Sequence, residues 1–250
     1  LTPNGSGTTA WAPLIDGLLC LALGIAWFFR RRVAQTSQSP AEKITEASRH
    51  ANVGAAEAPA EGKSRLEKLL ISVFLSEFAL FCGAFFFAFL KEPHGRWDAW
   101  LIWNMHARFL ARAGEAWRTV FTLPMDWSHW DYPLLLPLAI VRGWKYTGGE
   151  SIYIPAVLAF FFSLLTAGLL LVSLARLKNL ATGLLAPMLL IATPFFILMG
   201  ISQFADVPFS FFILATVVSL FSSGAQIERG AASQVLVGIF ASLAAWTKNE

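Results

Sequence analysis

Six residues of this 250-residue chain are candidates for moving a proton or steadying charge at one site: Asp98, His129, Asp131, Asp206, Lys248 and Glu250. A carboxylate placed against a hydroxyl can take its proton. A lysine can stabilise negative charge as it gathers on a departing group. Asp98 lies between Trp97 and Trp100 in GRWDAWLIWNMHARFLARAGEAW, Gly95 to Trp117. His129 and Asp131 fall in HWDYP, Asp206 in QFADVPF, and Lys248 and Glu250 in WTKNE. Four of them also have a plain structural reading. Asp98 is a favoured N-cap for the helix that follows, although Leu101 three residues on completes no capping box. If the helix already includes it, Asp98 shares a face with Ile102, Met105 and Phe109, where an acid needs a reason. Asp131 could cap a short helix after Pro133, Asp206 with Pro208 reads as an ordinary helix start, and Lys248 could be a lysine snorkelling to the interface.

The composition says what must position these residues. Hydrophobic residues make up 56% of the chain and charged ones 14%, against roughly 25% charged in soluble domains. Mean hydropathy is +0.58. This is a membrane-protein composition. The net charge of +3 reflects basic residues at the ends of apolar runs, which is a topology signal and not a nucleic-acid footprint. Cys20 and Cys82 lie inside apolar runs with no partner at metal-ligand spacing, and read as buried and inert. The chain opens on Leu1 and stops at Glu250 directly after an apolar run, so a fragment of a longer chain is expected.

The apolar runs give an all-α polytopic transmembrane bundle. Residues 1–32 form an extra N-terminal span, Trp11 to Phe29, closed by Arg30, Arg31 and Arg32 on the cytoplasmic side. Residues 33–64, rich in Ala, Glu, Ser, Gln and Pro, read as a flexible cytoplasmic linker. Residues 65–250 form the main domain. Leu66 to Leu90 runs outward, with Glu77 in mid-span facing the bundle interior. Residues 91–151 form an external loop, whose first part, Lys91 to Asp131, holds six of the ten tryptophans. Within it Asn104, Arg108, Arg112 and Glu115 mark one face of an amphipathic helix expected to lie along the outer surface. Pro133 to Val141 is free of charge for only nine residues, about 14 Å of helix against a hydrocarbon core of about 30 Å. It is interrupted by Pro137 and closed by Arg142 and Lys145, so it reads as a short external or re-entrant helix. Ile152 to Ala175 then runs inward, Leu180 to Met199 outward, Val207 to Phe221 inward and Val235 to Trp246 outward. Arg176, Lys178 and Arg229 fall inside. All six candidate residues then share the outer face of a plasma or inner membrane, where a lipid-linked substrate and an acceptor could meet.

Four motifs in this order, PHGRWDAWLIWNMHARFL, HWDYPLLLP, ADVP and WTKNE, resemble the GT-C glycosyltransferases, polytopic enzymes that use polyprenyl-phosphate sugars. The similarity covers about Leu66 to Glu250 and is nearest to the branch of protein O-mannosyltransferases and lipid A aminoarabinose transferases, including bacterial members. The resemblance implies inverting transfer of a sugar from a polyprenyl-phosphate donor to a glycan, lipid or protein acceptor on the extracytoplasmic face. It maps the catalytic base onto Asp98 and a second external acid onto Asp206. Substrate contacts would come from Trp97, Trp100, His129, Asp131, Lys248 and Glu250, with Lys248 beside the leaving phosphate and Arg96 or Arg142 in reserve. Relatives that bind a divalent metal carry extra acids, but Asp98 is followed by Ala99 and ADVP holds one acid, so no metal or other cofactor is expected. The rival expectation is a transporter or flippase, for which Glu77 would be the working group.

Overall fold

The computed structural model describes residues 61–121, 128–129, 131–221 and 231–249. The expected span Trp11 to Phe29, most of the linker, Trp127, Trp130, Arg229 and Glu250 lie outside the described residues. The chain divides into two units, Leu1–Ser64 and Arg65–Glu250, and the candidate residues all belong to the second. Among the described residues all regular structure is helical: α1 Glu61–Lys91, a π-helical turn Ala99–Trp103, α2 Asn104–Arg112, a 3₁₀ helix Gly114–Phe121, α3 Leu135–Thr147, α4 Tyr153–Leu177, α5 Leu180–Ile191, α6 Pro194–Ile201, α7 Asp206–Phe221 and α8 Ala231–Thr247. The helix of α1 thus begins four residues inside the stretch read as linker.

Two helices are long and apolar enough to cross a membrane, the segment Arg65–Lys91 of α1 and α4. They become three if α5 and α6 are one broken span. The expected outward run Leu180 to Met199 is divided into α5 and α6, with a bend of 64° between them. The cause is Pro194, the first residue of α6. Proline has no N–H to continue the ladder and drives the preceding residue out of the helical region. Thr193 accordingly sits at φ −72°, ψ 115°, and its hydroxyl donates back to the Leu189 carbonyl at 2.6 Å. Helices α7 and α8 have 16 and 17 residues, about 24 and 26 Å at 1.5 Å per residue.

Helix α4 packs against α3, α5, α6 and α7, while α8 packs along α7 and touches α3. Small residues allow the close approaches that helices without a water-driven force between them require. A Cβ at Gly183 would stand 2.6 Å from the Ala175 Cβ, and one at Gly200 would stand 2.6 Å from the Phe85 ring and 2.8 Å from Ser163 Oγ. Two apolar clusters result. Phe81, Phe85, Ala167 and Ile191 fill the bundle. Ile102, Trp103, Ala107, Leu136, Ile140, Trp144 and Ala205 form a second cluster that joins the loop helices to the turn before α7.

Helix α3 is short, as its charge-free run implied, but it runs from Leu135 to Thr147 and Pro137 does not interrupt it. Pro137 occupies the first turn, where its missing N–H has no partner to lose. Gly148 ends the helix at φ 74°, the left-handed conformation that glycine adopts without a Cβ penalty. Glu77 is partly buried in α1, and its Oε2 has no hydrogen-bond partner among the described residues. Cys82 is half-buried where full burial was expected.

Candidate functional site

The loop after α1 is tied to the turn before α7. Gly95 turns the chain at φ 69°, and its N–H donates to the Glu92 carbonyl at 3.0 Å. The Arg96 N–H donates to the Ser202 carbonyl at 3.2 Å. Gln203, 6% exposed, sends its Nε2 to the Pro93 carbonyl at 3.1 Å. From the other side, Asn104 Nδ2 reaches the His94 carbonyl at 3.4 Å. Asp98 follows two residues after Arg96, and Asp206 follows three after Gln203, so the two acids leave one hydrogen-bonded junction.

Asp98 is not a helix cap. It has helical dihedrals, φ −66° and ψ −31°, and makes no capping bond. It leads into the π-helical turn, in which the Asn104 N–H bonds the Ala99 carbonyl five residues back. Such turns insert an extra residue and occur often at functional sites. Ala99, Ile102 and Trp103 are buried by this turn while Asp98 stays half-buried. Trp97 and Trp100 flank it, 65% and 42% exposed, with ring centroids 5.1 Å apart in an edge-on arrangement.

Asp206 is the first residue of α7, with Pro208 in the same turn. Its Oδ1 accepts from Lys248 Nζ at 3.1 Å. The lysine side chain is 12% exposed and the aspartate 44%. Lys248 is therefore ion-paired and largely covered, not snorkelling to water. The next residue, Asn249, directs Nδ2 to the Asp131 carbonyl at 3.5 Å. This links the end of α8 to the segment before α3. Asp131 itself is exposed and caps nothing, since Leu134 occupies the cap of α3 and makes no side-chain bond. The structure thus brings Asp206, Lys248 and the Asp131 backbone together, and ties the Asp98 loop to the same turn.

His129, at φ 49°, stacks on Tyr132 at 4.6 Å, and Tyr132 stacks on Trp103 at 5.3 Å. Beneath this stack Ser128 Oγ donates to the Leu101 carbonyl at 3.2 Å and lies 3.1 Å from His106 Nε2. With the serine proton on Leu101, His106 Nε2–H must be the donor, which leaves Nδ1 as a buried acceptor without a partner among the described residues. Burial lowers the His106 pKa below its ordinary value, against the weaker opposing pulls of Ser128 and Asp131. His106 and Ser128 thereby fix the loop of His129 and Asp131 to the turn that follows Asp98.

The expected single amphipathic helix is divided. Helix α2 ends at Arg112, Gly114 adopts φ 52°, and Glu115 belongs to the 3₁₀ helix. Asn104 is buried rather than on a wet face. Arg112 clamps Glu150 through two bonds of 2.6 and 2.7 Å, and Arg108 approaches the same carboxylate at 3.7 Å. The bond from Arg112 lowers the Glu150 pKa and raises that of Arg112. Gln203, Asn104, His106 and Glu150 do not stand out in the sequence as site-building residues. Their partners lie 110, 10, 22 and 38 positions away, beyond any local pattern. The one local signal is polarity: Ser202 and Gln203 interrupt an otherwise apolar stretch.

Among the described residues no three His, Cys, Asp or Glu side chains are grouped to hold a metal ion. Comparison with protein-family profiles, curated proteins and solved structures yields no match to this chain.

Proposed function

We propose that the chain belongs to a GT-C-type membrane glycosyltransferase with an extracytoplasmic site, and that residues 65–250 carry its catalytic residues. The observation that carries this reading is the junction of the Asp98 loop with the Asp206 turn, with Lys248 held on Asp206. Two carboxylates and a covered ammonium at one end of a helical unit suit transfer from a lipid phosphate. Asp98, the acid without a cap role, is the base. It takes the proton of the acceptor hydroxyl as the new bond to the sugar's anomeric carbon forms. The bond from that carbon to the phosphate oxygen breaks through an oxocarbenium-like state, by analogy with glycoside hydrolysis. Attack on the opposite face inverts the configuration. The electron pair leaves with the phosphate, and Lys248 stabilises the charge that collects there. Asp206 holds the lysine in place at 3.1 Å. Exposed Trp97 and Trp100 offer faces for the sugar ring, and His129, Asp131 and Glu250 complete the substrate contacts. The donor is a polyprenyl-phosphate sugar, the acceptor a glycan, lipid or protein, and no metal is assigned a role. The protein would sit as a multi-pass chain in a bacterial inner or plasma membrane.

The test is Asp98→Asn in the full-length protein, assayed for sugar transfer from membranes that contain the mutant at native level. Loss of transfer is expected; unchanged transfer removes Asp98 from the role. A transporter remains the second reading because of one observation, the Glu77 Oε2 inside α1 that has no hydrogen-bond partner among the described residues. Glu77→Gln separates the two readings, since it would abolish transport and leave transfer intact.

A further inference from the structure

We infer that Gln203 is a positioning residue for Asp98, setting where the Asp98 loop stands relative to the Asp206 turn. Three consecutive features of that loop are held by the turn or by α2. Gln203 Nε2 takes the Pro93 carbonyl at 3.1 Å, Asn104 takes the His94 carbonyl at 3.4 Å, and the Ser202 carbonyl takes the Arg96 N–H at 3.2 Å. The interlock is tight. A Cβ at Gly95 would stand 2.6 Å from the Ser202 oxygen and 3.0 Å from Gln203 Cδ.

Two features argue against a role in packing alone. Gln203 adopts φ 61°, a conformation that residues with a Cβ rarely accept and that clusters at functional sites. Its Oε1 is buried without a partner among the described residues, as is the neighbouring Ser202 Oγ. A buried amide with an orphaned acceptor is worse filler than methionine of the same length. What glutamine supplies and methionine cannot is the N–H donated to Pro93. Asparagine, one methylene shorter, would not span the same gap from the same backbone.

The inference rests on the transferase reading for its catalytic consequence but not for its structural one, and the experiment separates the two. The full-length protein, with Cys20 and Cys82 replaced by serine, carries spin labels at His94 and Ser210, both exposed. Distance distributions and transfer kinetics are compared for the parent, Gln203→Met and Gln203→Glu. Gln203→Met should at least double the width of the distribution. It should also lower kcat about 100-fold with KM for the donor unchanged, the cost of a displacement of about 1 Å in a catalytic group. Gln203→Glu has no donor when ionised and regains one when protonated, so its width should narrow and its kcat recover as pH falls. The parent should show neither change. Protonation also removes a buried charge, so the rescue is read against Gln203→Met, which fills the same space with neither donor nor charge: Gln203→Glu at low pH should have the narrower width and the higher kcat. An unchanged width or an unchanged kcat in folded Gln203→Met, or no pH response in Gln203→Glu, overturns the inference. If the parent transfers no sugar, the transferase reading fails and the distance widths alone decide the clamp.

Discussion

Replacing Gly95 by alanine strains the junction from the loop side. Gly95 has φ 69°, and holding an L-residue there costs roughly 1–2 kcal/mol. The added Cβ would also meet the Ser202 oxygen at 2.6 Å, the Ala99 Cβ at 2.8 Å and Gln203 Cδ at 3.0 Å. The first of these is backbone, already fixed by the Arg96 N–H at 3.2 Å, and has no rotamer to escape into. Overpacking of this kind costs about 1–3 kcal/mol, so Gly95→Ala should destabilise by about 2–5 kcal/mol. At about 2–4 °C per kcal/mol for a domain of this size, the unfolding temperature should fall by about 4–20 °C. Two other glycines divide the effect into parts. Gly148 has φ 74° but nothing within 4 Å of its Cβ position, so Gly148→Ala should show only the backbone cost of about 1–2 kcal/mol. Gly83 lies in α1 with nothing within 4 Å and no left-handed φ, so Gly83→Ala should be neutral or stabilising by up to about 1 kcal/mol. The assay is thermal unfolding of the detergent-solubilised protein. Gly95→Ala no less stable than Gly148→Ala would refute the interlock of loop and turn.

Lys248→Met should lower sugar transfer by about 100-fold or more, the scale for losing a group that stabilises transition-state charge. Stability should change by only about 1 kcal/mol or less, because Asp206 is 44% exposed and such pairs are weak; equal loss of stability and activity would contradict the assignment. The buried, neutral His106 makes stability pH-dependent. Its folded pKa lies below the ordinary 6.5, so the unfolded chain binds the proton first, and stability is full above 6.5 and declines as pH falls through the folded value. His106→Gln should flatten that slope in chemical unfolding curves and leave the more acidic loss from Glu150, whose pKa lies below its ordinary 4.5. A slope identical in His106→Gln would show that another group carries it.

Local patterns account for the helical character, for the two helices long and apolar enough to cross a membrane, in α1 and α4, and for the shortness of α3. Apolar run length and flanking charge are properties of neighbouring residues, and the sequence displays them directly. The bend between α5 and α6 is also encoded locally, in the proline of ATPFF, but uniform hydropathy across Leu180 to Met199 masks it. The π-helical turn after Asp98 has no local sequence signature. It follows from burying Ile102 and Trp103 against α3 and Ala205, which is a tertiary demand. The same holds for Gln203, whose partner Pro93 is 110 positions away. The acids of the candidate site are visible as types of residue, whereas the side chains that hold them become visible only once the chain is folded.

The central claim is that Asp98 and Asp206 face the same extracytoplasmic compartment. Single cysteines at exposed Trp97 and Asn249, beside each acid, and at exposed Lys178 on the predicted cytoplasmic turn are placed in a protein lacking Cys20 and Cys82. Intact cells are then treated with a membrane-impermeant maleimide. The account predicts labelling at 97 and 249 without permeabilisation, and at 178 only after it. Labelling of 97 and 249 from opposite sides of the membrane, or of both only from the cytoplasm, would contradict it.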